Sequence, residues 1–488
     1  VSRYSGFLAN SPQYLEDVLL SFLDRRGMEH KNAQVRSRSC YLFLRLLRAL
    51  SNTALRKRVG AMSPKLLEAL QTKIVPFFKR GLYTGAMAQT SLQINDVQFL
   101  TEALGLLCSS SYAGKSGNQA AFSLCCKTLH SNLLLLASMT SECRRDPQLA
   151  GDRISDIVNM MGSLTKFVTR DAKHFKEPLA ECLKAIQKVL LILPAHKRVR
   201  STTIFFLHRM VTCLRSTVTP YLKHTLLTLI KHTRGDSLRA VSELVNQIVV
   251  QSRQESISLV SFIFTEYMEL YRKVLQTFSF IDEKTANSAY ASHIQDRDEI
   301  FQCYYGFLMH ILAKDEVFYT AISNIERNKV AFQHTLRTLL EGCSQRNMRF
   351  VKFCLETVGG LTSWGSKLIR NGNSQSAMNS NQLKCLRNLL SEGVTQATVN
   401  AVTNRHMMPD DAKAASGILA IVEIHKTLKD TFGVDFLKFL QQQMVRAMPS
   451  SQQMISEYLS RVNSNHESFG LRNILRDIIR SHLAHSKE

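Results

Sequence analysis

Residues 22–50 read Phe22-Leu23-Asp24-Arg25-Arg26-Gly27-Met28-Glu29-His30-Lys31-Asn32-Ala33-Gln34-Val35-Arg36-Ser37-Arg38-Ser39-Cys40-Tyr41-Leu42-Phe43-Leu44-Arg45-Leu46-Leu47-Arg48-Ala49-Leu50. One helix ends near Asp24, and a short basic turn containing Gly27 follows. A second helix opens behind Asn32, whose side chain can accept hydrogen bonds from the first backbone N–H groups. From there Val35, Cys40, Tyr41, Leu42, Leu44 and Leu47 form an apolar stripe at helical spacing, while Arg36, Arg38, Arg45 and Arg48 fall elsewhere on the wheel. The stretch is a helical hairpin with a basic turn.

The same periodicity continues along the chain, and no alternating apolar pattern suggests a strand. It predicts helices over 11–24, 32–50, 63–80, 95–111, 118–140, 147–169, 176–193, 197–216, 218–233 and 236–252. Further helices are predicted over 256–279, 296–313, 315–326, 329–343, 347–360, 381–402, 411–430, 432–447, 451–462 and 468–485. That makes about ten hairpins, spaced near the ~40–47 residues of HEAT-type repeats. Asn32, Val35 and Arg36 fit the structural positions of such a repeat, where an arginine bonds carbonyls or acids of the neighbouring repeat. The expected fold is an all-α solenoid. Two polar stretches, 282–295 and 370–382, read as surface loops between hairpins.

With only 9 prolines and 21 glycines, the 488 residues leave little room for linkers between separate domains. Charge is unevenly distributed. The net +23 divides into 35 basic against 16 acidic residues over 1–250, and 27 against 23 over 251–488. A solvated helical surface mixes signs, so the excess predicts a polyanionic partner for the first half. The second half is expected to close the array or meet another protein. The 11 cysteines are an odd number without a Cys-x-x-Cys pair, and adjacent Cys125 and Cys126 cannot share a tetrahedral zinc site. Buried, reduced thiols are expected, as in a cytosolic or nuclear protein. Apolar runs such as 133–137 and 189–193 are far shorter than the ~20 residues that span a bilayer, so no membrane partner is expected. The chain opens at Val1 within an ongoing helical array, which suggests part of a longer protein.

Catalytic signatures are missing: no phosphate-binding glycine loop follows a strand, and neither His-Glu-x-x-His nor Gly-x-Ser-x-Gly occurs. Gly114-Lys115-Ser116 lacks the preceding glycine and reads as a turn. His130, His174, His208 and His310 fit helix faces, and Asp410-Asp411 fits a helix start. No enzyme activity, small-molecule substrate, metal or cofactor is expected.

Basic clusters carry the functional expectation. Arg25, Arg26, His30 and Lys31 converge in the first turn, where Gly27 would let a partner approach, and Arg38 follows on the next helix. A second cluster joins Lys173, His174 and Lys176 to His196, Lys197, Arg198 and Arg200. Cations at that second helix start oppose the helix dipole, a cost that a bound phosphate would remove. Lys223 and Lys231, eight residues apart with His224, complete a basic stripe. Arg56-Lys57-Arg58 reads as a dipole-compatible helix end. Double-stranded RNA is read through shape and phosphates, which scattered Lys and Arg on a rigid array can supply. The residues show no aromatic ladder of the kind a single-strand reader uses.

The stretch Phe22-Leu23-Asp24-x-Arg26-Gly27 followed by Val35-Arg36-Ser37-Arg38 and Tyr41-Leu42-Phe43 resembles the exportin-T family of importin-β-type carriers. Phe206-Leu207-His208-Arg209-Met210, Trp364-Gly365 and the run from Asp410 to Gln443 resemble later blocks of the same family, in the same order. The resemblance implies a monomeric, non-catalytic carrier that shuttles between nucleus and cytoplasm. It would bind mature tRNA together with Ran-GTP, pass nuclear pore proteins, and release its cargo on GTP hydrolysis. It corresponds to roughly the carboxyl-terminal half of the family; the amino-terminal repeats that contact Ran lie elsewhere. A scaffold or protein-cargo carrier binding acidic partners would also fit the basic helical surface.

Overall fold

The structure, a computed structural model, describes residues 6–8, 10–81, 92–109, 119–168, 175–279, 288–313, 316–323, 325–371 and 380–485. Among them no strand occurs, and the fold is an all-α solenoid. Lys173, the Gly114-Lys115-Ser116 turn and residues 372–379 of the second polar stretch lie outside the described residues. Two compact units, Val1–Gln251 and Ser252–Glu488, divide the helices.

The first unit runs α1 (Leu15–Leu23), α2 (Ala33–Leu50), α3 (Arg56–Gly81), α4 (Ile94–Cys108), α5 (Gln119–Ser138), α6 (Thr140–Arg145), α7 (Pro147–Leu164), α8 (Lys176–Ile192), α9 (Lys197–Leu214), α10 (Thr219–His232) and α11 (Gly235–Ser252). Helices α1, α3, α5, α8 and α10 pack side by side as one layer. Helices α2, α4, α7 and α9 form the other, and Gln247 of α11 extends it by donating to Thr212 of α9 at 3.0 Å. The inner second-layer helices therefore meet a hairpin partner and two layer neighbours, and α2 meets α1 and α4. Its buried surface is wider than a single stripe. In α2 Phe43 and Leu46 are buried with Cys40, Leu44, Leu47 and Leu50, whereas Val35, Tyr41 and Leu42 are half-buried.

Helix α5 is long and apolar enough, by length and composition, to cross a membrane. Here Phe122, Cys126, Leu129 and Leu133 are buried, and α5 packs against α3, α7 and α8. Helix α3 starts at Arg56, earlier than its apolar pattern suggests. Arg56, Lys57 and Arg58 thus open a helix instead of closing one.

The second unit runs α12 (Ile257–Ser279), α13 (Ser288–Leu308), a π-helical turn (Met309–Ala313), α14 (Glu316–Ser323), α15 (Lys329–Gly342), α16 (Met348–Asn371), α17 (Ser380–Asn388), a π-helical stretch (Leu389–Val394), α18 (Thr395–Val402), α19 (Ala412–Ala447), α20 (Gln452–Asn463) and α21 (Ser468–His485). Helix α13 begins inside the predicted 282–295 loop, where Ala289 and Ala291 favour helix. The predicted break between 430 and 432 is a kink at Gly433, whose φ of 67° suits glycine. The side chain of Asp411 caps α19 by accepting from the Lys413 N–H at 2.8 Å, and Asp410 pairs with Arg480.

Helix α16 continues past residue 360, where the predicted helix ends, and Trp364 within it donates to the Leu312 carbonyl at 2.6 Å. Gly360, not Gly359, serves packing. A Cβ on Gly360 would lie 2.5 Å from the Ala313 Cβ and 2.7 Å from the Ala313 carbonyl oxygen, while one on Gly359 meets only Ile424, at 3.7 Å. Opposite effects should follow from the same substitution at adjacent positions. Gly359→Ala should stabilise by up to ~1 kcal/mol through helix propensity, and Gly360→Ala should destabilise by about 2 kcal/mol through overpacking, read by denaturant unfolding.

His425, fully buried, lies between the Thr398 hydroxyl (2.9 Å from Nε2) and the Tyr458 hydroxyl (2.9 Å from Nδ1). Burial pushes its imidazolium down to about 3. The unfolded chain takes up this proton below its ordinary value of 6.5, so the stabilisation is complete above that pH and is lost as pH falls toward 3. Between pH 7 and pH 5 the loss should be about 2 kcal/mol. Amide exchange in α19 and α20 should report it, and His425→Gln should flatten the dependence; equal pH slopes in the two proteins would exclude this origin.

Candidate nucleic-acid interface

The α1–α2 turn is built largely from its own side chains. A Cβ on Gly27 would lie 2.2 Å from the Phe22 carbonyl oxygen, so the turn itself, not an approaching partner, requires glycine here. Asn32 accepts from the Gln34 N–H at 2.8 Å, and the His30 Nδ1 accepts from the Asn32 N–H at 3.0 Å. Arg36 donates from Nη1 to the carbonyls of His30 and Lys31, both at 2.8 Å. These carbonyls belong to its own turn. Arg26 pairs with Asp24, whose carboxyl it holds below the usual carboxylate range through side-chain hydrogen bonding. Arg25 and Lys31 are exposed and make no ion pair among the described residues.

The α8–α9 turn repeats this construction. His196 caps α9 at the Val199 N–H, and Arg200, only 5% exposed, donates from Nη1 to the carbonyls of Pro194 and Ala195. Arg200 is thus the counterpart of Arg36 and is not available to a phosphate. Arg198 bonds Asp152 at 3.0 Å and also pairs with Asp156, both on α7. Its hydrogen bond lowers the Asp152 carboxyl, whereas burial raises that of Asp156. These acids, not a phosphate, answer the cationic start of α9.

The expected second cluster does not converge. At 1.5 Å per residue the 17-residue α8 is about 25 Å long, which places Lys176 and Lys197 at its opposite ends. Both are exposed. Lys223 and Lys231 are exposed on α10, in the first layer.

A different row of cations crosses the second layer. On α2, the Arg38 and Arg45 guanidinium carbons lie 5.4 and 5.7 Å from the Tyr41 ring centroid, and Arg45 donates to the Tyr41 hydroxyl at 3.2 Å. Phe99 of α4 meets the same ring edge-on at 5.5 Å. One helical turn further, Arg48 pairs with Glu102 of α4 and lies 5.5 Å from the Phe167 centroid. Lys166, just beyond α7, approaches the other Glu102 oxygen at 2.6 Å. Arg209 of α9 donates to the carbonyls of Thr165 and Lys166 at 2.7 and 2.8 Å. Two of these cations, Arg48 and Lys166, therefore share one carboxylate, which is only 3% exposed. Burial, followed by repulsion from Arg48 and Arg209, lowers the Lys166 pKa. The locality is short of negative charge, and an anion would relieve it.

Of the residues in this row only Arg38 was picked out by sequence reasoning. The seven-residue spacing of Arg38 and Arg45 puts them on one helix face and could have identified the pair. Lys166 and Arg209 join them only through the stacking of α4, α7 and α9.

A family model described as Exportin-T matches residues 1–482. The chain belongs to the Exportin-T family. Exportin-T of Oryza sativa subsp. japonica is 24% identical over 381 residues, covering 75% of this chain and 37% of that protein. Exportin-T of Mus musculus is 24% identical over 355 residues, covering 70% and 34%. Exportin-T of Arabidopsis thaliana is 22% identical over 483 residues, covering 95% and 46%. The chain spans between about a third and a half of the length of these Exportin-T relatives.

Proposed function

We propose that this chain forms part of a nuclear export carrier for tRNA, with the first unit contributing a phosphate-binding surface. The observation that carries this reading is the exposed pair Arg38 and Arg45 on α2, beside Arg48, Lys166 and Arg209, which Glu102 and the carbonyls of Thr165 and Lys166 hold in the second layer. Membership of the Exportin-T family supplies the cargo class. Helices fixed against one another hold the cations at set spacings, and a folded RNA is recognised by the spacing of its phosphates more than by its bases. Arg25, Lys31, Lys176, Lys197, Lys223 and Lys231 are further exposed cations of the first unit. The carrier works as a monomer, passes nuclear pore proteins, and couples tRNA binding to Ran-GTP so that each ligand tightens the other. Hydrolysis of GTP in the cytoplasm then releases the cargo.

The test is a titration of the full-length carrier with labelled tRNA, with and without Ran locked in its GTP form, across a salt series. Tight binding only with Ran-GTP, steeply weakened by salt, is the expected outcome. Equal affinity for tRNA and an arbitrary polyanion, indifferent to Ran, would overturn the reading.

A further inference from the structure

The second unit contains an open groove of about 920 Å³ between α15 on one side and α17, the Leu389–Val394 π-helical stretch and α18 on the other. Phe332, Leu336, Leu340, Leu389 and Ala397 supply its apolar surface, with Tyr319 also lining it. A Cβ on Gly393 would lie 3.2 Å from a Leu340 methyl, so glycine lets the π-helical wall close on α15. Such π-helical insertions are frequent at functional sites.

The polar lining is mostly uncharged. Gln333 comes from α15, Asn381, Gln382 and Asn388 from α17, and Gln396 and Asn400 from α18. Gln396 donates to Asn400 at 2.8 Å, whereas the exposed Gln333, Asn381 and Asn388 have no side-chain partner among the described residues. A side-chain amide both donates and accepts, as a peptide backbone does. Amides along both walls of an apolar cleft therefore match a polypeptide in extended form. Charge narrows the occupant further. Lys329 is paired with Glu326, so Arg337 is the one lining cation without an ion partner among the described residues, and Glu341 follows it one turn later. One such cation beside a carboxylate offers little to a polyanion but accommodates a single acid.

We propose that this groove binds an extended peptide segment of a partner protein, with large apolar side chains on the floor, its backbone between the amide walls, and one carboxylate on Arg337. The proposal is independent of the RNA reading, since every residue in it belongs to the second unit.

Cys385, which lines the groove, provides a native reporter. It is the only exposed cysteine; Cys303 is intermediate and the others are buried. The experiment selects a random peptide library displayed on phage against the full chain, then adds synthetic enriched peptides while iodoacetamide labelling is followed by mass spectrometry. Enriched peptides should carry spaced apolar residues and one Asp or Glu. At saturation they should slow Cys385 alkylation more than tenfold and leave Cys303 unchanged. Leu336→Asp, at a half-exposed position, should abolish the protection. Arg337→Glu changes only an exposed side chain, so it should fold normally and select Lys or Arg in place of the acid. Failure to enrich such peptides, or protection that survives both variants, would overturn the proposal. So would protection that grows with protein concentration and needs no peptide, since a second copy would then occupy the groove.

Discussion

Replacing Arg38 and Arg45 together by glutamate should weaken tRNA binding about a hundredfold near physiological salt and make it markedly less salt-dependent. Each phosphate contact contributes roughly 0.7–0.9 to the slope of log affinity against log salt, so losing two should lower the slope by about 1.4–1.8. Reversal, unlike neutralisation, also places two negative charges where phosphates approach, which is why about tenfold per residue is expected. Both side chains are exposed, and what the fold loses is their contact with Tyr41, about 0.5–1 kcal/mol each. Arg198 provides the contrast. Arg198→Gln breaks its pairs with Asp152 and Asp156, so it should loosen the packing of α7 on α9 and leave the salt slope where it was. An unchanged slope in the Arg38/Arg45 variant, measured by anisotropy with Ran-GTP present, would remove the second-layer row from the interface.

That contrast also shows what the sequence conveys and what it withholds. Helical periodicity is local, so the helices and their hairpin order can be read from apolar spacing, with errors where a glycine serves packing, as at Gly360. A cluster of charges is also visible locally, but its availability is not. Arg26, Arg198 and Arg200 stand in the most basic stretches of the chain, yet their donors are engaged by Asp24, by the acids of α7 and by turn carbonyls. Asp24 is two residues from Arg26, but the carboxylates that hold Arg198 and Lys166 lie in other helices: Asp152 is 46 residues from Arg198, and Glu102 is 64 from Lys166. No short window along the chain contains both partners of either of these two pairs. Conversely, Arg45 and Arg48 lie in a predominantly apolar run and look like ordinary polar positions of a helix until α4 and the end of α7 are stacked against them.

Gly105→Ala should be the most damaging single-methyl change on α4, costing about 3 kcal/mol or more. A Cβ at this position would sit 2.1 Å from the Leu164 carbonyl oxygen and 2.9 Å from its carbon, and backbone atoms cannot rotate away as a side chain can. Helices α4 and α7 would have to separate by roughly 1 Å, which close-packed interiors resist. The displacement falls at the centre of the cationic row. Gly105 lies one turn after Glu102 on α4, and Leu164 is two residues before Lys166, so separation would stretch the 2.6 Å pair between them. Amide exchange in α4 and α7 should accelerate while α19 and α20 remain protected, and tRNA affinity should fall along with stability. Combining the change with Glu102→Gln should give less than the sum of the two effects, because both act on the same anchor of Arg48 and Lys166. Strict additivity, or a variant as stable as the parent, would mean that the spacing of α4 and α7 is not what sets the geometry of the row.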